Sequence, residues 1–71
     1  MPEREALAKH LKEFRKINKE TQFEFAANVG ISIEELSLIE REIANPSLDT
    51  LQKIAAYTGS TVSELLQVDK N

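Results

Sequence analysis

The chain has 71 residues, no cysteine, no tryptophan and two glycines, and its formal net charge at pH 7 is −3. A chain this short buries only about 60–65% of the surface that its unfolded form exposes, which leaves little room for an enclosed active site. The lack of cysteine excludes disulfide bonds and thiolate metal sites. No apolar run approaches the roughly 18 residues that a membrane span requires.

Leucine, isoleucine and alanine dominate the apolar residues, so the composition favours a small all-α domain. The charged start, residues 1–5, is unsuited to a signal peptide, and with the lack of cysteine it predicts a soluble, cytoplasmic protein. Six of the nine basic residues precede Glu20, whereas nine of the twelve acidic residues lie at or after it. Any contact with DNA phosphates would therefore draw mainly on the first helix and Arg41.

An apolar stripe predicts the first helix over about residues 4–17. Leu7, Leu11 and Phe14 recur at helical spacing, and Ile17 continues the same stripe. Asn18 follows and tolerates the left-handed conformation in which many helices end.

Two short helices joined by a tight turn are predicted between residues 21 and 40. Thr21 and Glu24 form a capping box at the start of the second helix, and Gly30 ends it with a positive φ. Ser32 and Glu35 predict another capping box at the start of the third helix. Such a helix-turn-helix unit commonly places its second helix in the major groove of DNA. The predicted inward residues are Phe25, Ala26, Val29, Leu36 and Ile39.

The remaining residues predict two more helices. Pro46 bars Asn45 from helical geometry and predicts a break after the third helix. Ser47 starts a fourth helix, which Gly59 ends. A third capping box opens a short fifth helix at Thr61, and residues 68–71 are predicted to form a frayed end. The stripe of the fourth helix consists of Leu48, Leu51, Ile54 and Ala55. Together the elements predict one compact five-helix bundle over residues 1–71.

The caps, turns and apolar positions between residues 7 and 66 follow the pattern of a known family. The chain resembles the phage Cro/repressor helix-turn-helix proteins, also called the XRE family, which have a lambda-repressor-like fold. The positions that carry this resemblance are residues 11–16, 21–22, 25–26, 29–32, 36, 39–41, 45–48, 51, 54–55, 59 and 64–66.

The resemblance implies a transcriptional regulator, usually a homodimer bound to partly palindromic double-stranded DNA, with the third helix in the major groove. It also implies a partly buried structural ion pair between Arg15 and Glu40. The implied DNA-binding residues are Thr21, Gln22, Ser32, Ile33, Glu34, Ser37, Leu38, Arg41 and Asn45.

The sequence departs from the family pattern where DNA would be read. Ile33, Glu34 and Leu38 stand at positions that members often fill with Arg, Lys, Gln or Thr. Glu20 stands where the family prefers an apolar residue, and Glu42 replaces a glycine that often follows the third helix. These changes leave the fold prediction intact and alter the surface that would contact DNA.

The residues on this surface allow two interpretations. Glu34 is favoured by the helix dipole and can also accept a hydrogen bond from cytosine N4. Ile33 can pack against a thymine methyl group or against a protein. The alternative function is therefore a helix-turn-helix that docks a protein partner or a second copy, through an apolar patch of Phe23, Ile33 and Leu38.

Catalysis has no candidate residues in this sequence. There is one histidine, no cysteine and no glycine-rich phosphate loop, so no nucleophile, base and orienting group can be assembled. The chain is therefore predicted not to be an enzyme and to need no metal and no cofactor.

Overall fold

The computed structural model describes residues 2–68, and every regular element in that range is a helix. The helices are α1 (Pro2–Asn18), α2 (Gln22–Val29), α3 (Ile33–Glu40), α4 (Leu48–Thr58) and α5 (Val62–Leu65). The predicted five-helix, all-α architecture is confirmed. The predicted frayed end lies outside the described residues except for Val68. Within residues 2–68, no helix combines the length and hydropathy needed to cross a bilayer.

The hydrophobic core is formed by residues from all five helices. Helix α1 packs against α3 and α5, α2 packs against α3 and α4, and α4 packs against α5. Three aromatic rings join the first, second and fourth helices: Phe25 is fully buried and lies edge-on to Phe14 and Tyr57, with ring centroids 5.8 and 5.4 Å away. The largest fully buried side chains are Phe25, Leu7, Leu11, Leu36, Ile39 and Ile54.

Two residues predicted to belong to apolar stripes are exposed instead. Ile17 is 78% exposed, because it lies in the last turn of α1, beyond the edge of the core. Leu48 is 63% exposed. It is the first residue of α4, and because helical side chains tilt toward the N-terminus, its side chain extends past the end of the core.

Helix α1 is longer than predicted at both ends. It begins at Pro2, which suits the first helical position because that position needs no N–H donor. It ends after Asn18, and the left-handed residue is Lys19 (φ 56°), so the prediction that Asn18 takes this conformation was wrong. The hydrogen bond from Asn18 Nδ2 to the Phe14 carbonyl, 2.9 Å, holds the Asn18 side chain on the last turn instead.

Candidate nucleic-acid interface

Local caps position α2 and α3 around a tight turn. Thr21 and Glu24 form the predicted capping box, with bonds of 3.0 Å from Glu24 N to Thr21 Oγ1 and 2.8 Å from Thr21 N to Glu24 Oε1. Gly30 ends α2 in the left-handed conformation (φ 93°), which a residue without Cβ adopts with little strain. The turn therefore forms as the sequence predicts.

Only one of the two hydrogen bonds of the capping box predicted for α3 is present. Ser32 Oγ accepts the N–H of Glu35 at 3.0 Å, but the Glu35 carboxylate does not return to Ser32. It accepts a hydrogen bond from the buried hydroxyl of Thr50 in α4, at 3.1 Å. The predicted capping box is therefore wrong for Glu35, because a tertiary partner, Thr50, captures its carboxylate.

A network centred on Glu40 ties α1, α2 and α3 together. Arg15 Nε and Nη2 each donate to a different Glu40 oxygen at 2.7 Å, which is bidentate ion-pair geometry. Gln22 Nε2 donates to Glu40 Oε1 at 3.1 Å, and Arg15 Nη1 donates to the Glu20 carbonyl at 3.2 Å. Glu40 is only 3% exposed. The hydrogen bond to Glu40 is the main cause that raises the pKa of Arg15 above an already high ordinary value, so Arg15 stays charged.

The outward strip of α3 consists of Ile33, Glu34, Ser37 and Leu38. Ile33 and Ser37, and likewise Glu34 and Leu38, are four residues apart and so neighbour each other on the helix surface. Ile33 is 41% exposed and Leu38 39% exposed, Glu34 is exposed, and Ser37 is half-buried. The structure therefore brings four of the predicted DNA-binding residues onto one surface.

The other predicted DNA-binding residues surround this strip without joining it. Gln22 is half-buried at the start of α2, where one of its N–H groups is already bonded to Glu40. Thr21 and Ser32 are exposed, with their hydroxyl oxygens accepting helix-cap bonds. Arg41 and Asn45 are exposed in the connection after α3.

Basic residues lie where the end of α1 meets the end of α3. Lys16 and Lys19 are exposed at the end of α1, next to Arg15, which reaches the end of α3. Arg41 directly follows α3. These cations compensate in part for Glu34 and for the other carboxylates that the region carries.

The predicted apolar patch divides into two parts. Phe23 is 68% exposed, and with Ile33 it borders a shallow depression between α2 and the start of α3. The other walls of this depression include Ala26, Ala27 and Ile31. Leu38 is not among its lining residues, because it lies about 140° from Ile33 around the axis of α3.

Glu42 holds an unusual backbone conformation at the end of α3. Its φ is 63°, and bonds of 3.0 Å from Glu42 N to the Ile39 carbonyl and from Ile43 N to the Leu38 carbonyl complete a Schellman motif. Lys19 occupies the equivalent position after α1, with a φ of 56°. The glycine that the family often has here would relieve strain, since a left-handed L-residue is disfavoured by about 1–2 kcal/mol.

We expect Glu42→Gly and Lys19→Gly to stabilise the fold alike but to change DNA affinity in opposite directions. Each substitution relieves the strain of a left-handed residue but increases the conformational entropy of the unfolded chain. The net increase in the free energy of unfolding, measured with urea, should be about 0.5–1 kcal/mol. Glu42→Gly removes a negative charge and should strengthen DNA binding, whereas Lys19→Gly removes a positive charge and should weaken it. Equal affinity changes for the two variants would contradict this charge assignment.

A polar cluster of Glu20, Asn28 and Tyr57 was missed by the sequence reasoning. Glu20 Oε2 accepts hydrogen bonds from the Tyr57 hydroxyl and from Asn28 Nδ2, the latter at 3.1 Å. Asn28 Nδ2 also lies 3.1 Å from Tyr57 Oη. The cluster explains why Glu20 replaces the apolar residue preferred by the family, because its carboxylate links the start of α2 to α4. The departure at Glu20 was the only sequence signal that pointed to it.

Tyr57 should titrate at a higher pH than an ordinary tyrosine. Its hydrogen bond to Glu20 is the main cause that raises the pKa of Tyr57 above the usual value of about 10, and partial burial adds to it. Because the neutral phenol is favoured in the fold, its stabilising effect is complete below pH of about 10 and is lost as the pH rises through the raised pKa.

Ultraviolet absorbance of tyrosinate measures this directly, because the chain has one tyrosine and no tryptophan. We expect Glu20→Gln to bring the pKa of Tyr57 back toward the ordinary value, since the neutral amide removes the negative charge. Identical titration midpoints in the two proteins would show that Glu20 does not set the pKa. Asp49→Asn, on the exposed side of α4, is the matched control.

Residues 2–68 contain no group of three or more histidine, aspartate or glutamate side chains that could hold a metal ion. Several acidic residues of this region are instead hydrogen-bonded within the protein: Glu24 in its cap, Glu35 with Thr50, Glu20 with Tyr57 and Asn28, and Glu40 with Arg15 and Gln22. The candidate interface consists of one exposed helix strip and the residues that surround it.

Comparison with known proteins agrees with this architecture. A family model described as helix-turn-helix matches residues 11–65. The chain is 39% identical over 61 residues to the HTH-type transcriptional regulator DdrOP3 of Deinococcus deserti, an alignment that covers 86% of this chain and 47% of that protein. It is 37% identical over 60 residues to the immunity repressor protein of Bacillus phage phi105, covering 84% of this chain and 42% of that protein.

A solved structure shares the fold. The crystal structure of the hypothetical transcription factor NHTF from Neisseria superposes with a TM-score of 0.86 at 30% sequence identity, covering 94% of this chain and 75% of that one. The chain spans less than half the length of the two curated relatives. Because the family model covers most of the chain, and the caps, turn and helices have the arrangement of a helix-turn-helix, the chain belongs to the XRE-type helix-turn-helix family.

Proposed function

We propose that the protein is a sequence-specific, DNA-binding transcriptional regulator that inserts α3 into the major groove. The observation that carries this proposal is the exposed strip of α3, held beside the start of α2 by the buried Glu40 network. Family membership and the regulator and repressor names of the relatives support it. The proposal assigns no catalytic role, and it places the protein in the cytoplasm because a regulator must reach its DNA.

In this arrangement, different residues position the protein and read the sequence. Lys16, Lys19 and Arg41 neutralise phosphates, together with the backbone N–H groups at the starts of α2 and α3. The strip of α3 contacts base edges. Gln22 keeps one amide N–H and its carbonyl oxygen for a phosphate or a base, since its other N–H is bonded to Glu40.

The test is selection of bound fragments from random duplex DNA, followed by affinity measurements at several salt concentrations. Three phosphate contacts from each chain predict a slope of about −3 per bound chain, and about twice that for two chains on one duplex, in a plot of log affinity against log salt concentration. Arg41→Ala should weaken binding to all sequences and reduce that slope by about 1. Lys53→Ala is the matched control, because Lys53 lies on α4 in a surface ion pair with Asp49. Failure to retain any duplex DNA at low salt would overturn the proposal.

We further propose that the regulator binds as a homodimer, as the partly palindromic sites of such proteins require. Sedimentation of the protein with and without its selected duplex measures this stoichiometry. Two chains on one duplex containing two half-sites is the expected result, whereas one chain on a single asymmetric site would contradict it.

Protein docking is the second candidate function, favoured by the 68% exposure of Phe23 beside Ile33. It predicts an association that is insensitive to salt and is weakened by Phe23→Glu, whereas Leu38→Glu, outside the depression, should weaken it less. A protein that stays monomeric and retains no partner would count against it, and steep salt dependence of DNA binding would favour the regulator instead.

A further inference from the structure

The chemical groups on the outward strip of α3 are unusual for a helix that reads bases. The whole helix, residues 33–40, contains no Arg, Lys, Asn or Gln. Its outward strip offers two aliphatic side chains, one carboxylate and one hydroxyl. The strip therefore holds the aliphatic groups of Ile33 and Leu38, which are 41% and 39% exposed, beside the acceptor Glu34.

These groups match only part of the pattern that the major groove displays. Guanine presents the acceptors N7 and O6, which are read best by Arg or Lys donors, and α3 provides neither. Thymine presents a C5-methyl group, which apolar side chains contact, whereas cytosine and adenine present amino donors that a carboxylate can accept. The strip thus complements thymine methyl groups and neighbouring amino groups better than guanine.

The surroundings favour nucleic acid over a protein as the occupant of this face. The polar side chains of Glu34 and Ser37 lie among the aliphatic groups and need hydrogen-bonding partners. Base edges in the major groove present amino groups as well as methyl groups, so they can supply both kinds of contact. The cations Lys16 and Lys19 at the end of α1 and Arg41 after α3 lie on the side of the unit where Arg15 reaches Glu40, which suits a phosphate backbone on that side.

Resting on the DNA-binding function proposed above, we infer that α3 recognises its site through thymine methyl groups, contacted by Ile33 and Leu38. Glu34 accepts a hydrogen bond from the amino group of an adjacent cytosine or adenine. Ile33 also forms a wall of the apolar depression that it shares with Phe23, which gives a methyl group an apolar surface on two sides. Specificity then depends on methyl contacts in place of donor bonds to guanine.

The experiment replaces single thymines of a selected duplex with deoxyuridine, which removes the methyl group and keeps every hydrogen-bonding group. Each contacted methyl group should strengthen binding about three- to fivefold, the effect expected for burying one methyl-sized group. Thymines outside the contacted positions should show no change, and they serve as internal controls within the same duplex.

A double-mutant cycle that combines one side-chain substitution with the loss of one thymine methyl group identifies the contacting side chain. Ile33→Ala should weaken binding to the thymine duplex and abolish the deoxyuridine effect at one position only, because the two changes remove the same contact. Val68→Ala is the matched control: Val68 is also a β-branched residue, is equally exposed at 41%, and lies beside the start of α1. Circular dichroism of both variants verifies that the helices are intact.

The possible results separate this inference from the proposed function. Loss of the deoxyuridine effect in Ile33→Ala, but not in Val68→Ala, supports methyl recognition. Sequence-specific binding that is unaffected by deoxyuridine overturns the inference and leaves the regulator function standing. No duplex binding at low salt overturns both. A change in self-association or in binding to a protein, with unchanged DNA affinity in Ile33→Ala, assigns the face to a protein and overturns the inference.

Discussion

Replacing Glu40 with glutamine is expected to lower the free energy of unfolding by about 3 kcal/mol, the lower end of the range for breaking a buried ion pair. Glutamine keeps the shape of the side chain but leaves Arg15 charged and without its bidentate partner. Arg15 is only 20% exposed, so water compensates for little of that loss. Because total stability for a chain of this length is about 4–10 kcal/mol, urea unfolding would detect the change easily.

Two further variants distinguish an uncompensated charge from a general packing defect. Arg15→Met combined with Glu40→Leu should recover stability to within about 1 kcal/mol of the wild type, because apolar replacements for a buried ion pair are often neutral or stabilising. Asp49→Asn, which breaks the exposed pair with Lys53 at 3.4 Å, should change stability by less than about 0.5 kcal/mol. An unchanged unfolding free energy in Glu40→Gln would rule out a structural role for the pair.

Glu40 should also affect DNA binding indirectly. Its carboxylate holds Gln22 at the start of α2 and Arg15 at the end of α1, so α3 and both of these helices are joined at one residue. The folded fraction of Glu40→Gln is therefore expected to bind its duplex more weakly, even though Glu40 itself is 3% exposed and cannot reach a base. Affinity measured per folded molecule, at a temperature where the variant is folded, provides this comparison.

Phe25→Ala is expected to be the most destabilising aromatic substitution, with a loss of about 4 kcal/mol. Phe25 is fully buried, and its ring lies edge-on to Phe14 and Tyr57, so truncation leaves a cavity and removes two aromatic contacts. If the wild-type stability lies at the lower end of the range of about 4–10 kcal/mol, much of the variant is unfolded at room temperature. Phe25→Leu, expected to lose about 1–2 kcal/mol, keeps the effect measurable if the alanine variant does not fold.

Phe23→Ala is the matched control for this prediction. Phe23 lies two residues earlier on the same helix but is 68% exposed, so its truncation should change stability by less than about 0.5 kcal/mol. If the two phenylalanine variants lost similar stability in thermal or urea unfolding, the assignment of the inward face of α2 would be wrong. The two variants also separate effects on folding from effects on binding, because Phe23 borders the depression next to Ile33 and does not belong to the core.

The local features of the helix-turn-helix could be read from the sequence because they depend on neighbouring residues. The capping boxes at Thr21 and Thr61, the left-handed glycines at 30 and 59 and the cap at Ser47 form as predicted, and so does the Ser32 half of the capping box predicted for α3. Each involves groups within a few residues of one another, so residue type and spacing are sufficient.

The errors occur where a distant residue or the length of an element decides the result. The carboxylate of Glu35 leaves its local cap for Thr50, 15 positions away, and Glu20 finds Tyr57, 37 positions away. Ile17 and Leu48 follow helical spacing, yet they lie beyond the edge of the core. Periodicity identifies the side of a helix but cannot show where its packing partners end.

By itself, the sequence determined the helices, their caps, the turn at Gly30 and the identity of the residues facing outward on α3, because short-range hydrogen bonding and helical periodicity control these features. Only the tertiary structure decided how those residues are grouped. Folding brings Arg15 and Gln22 to one buried carboxylate, and it separates Leu38 from the depression that Phe23 and Ile33 share. Such groupings depend on how the helices pack, which no local pattern in the chain encodes.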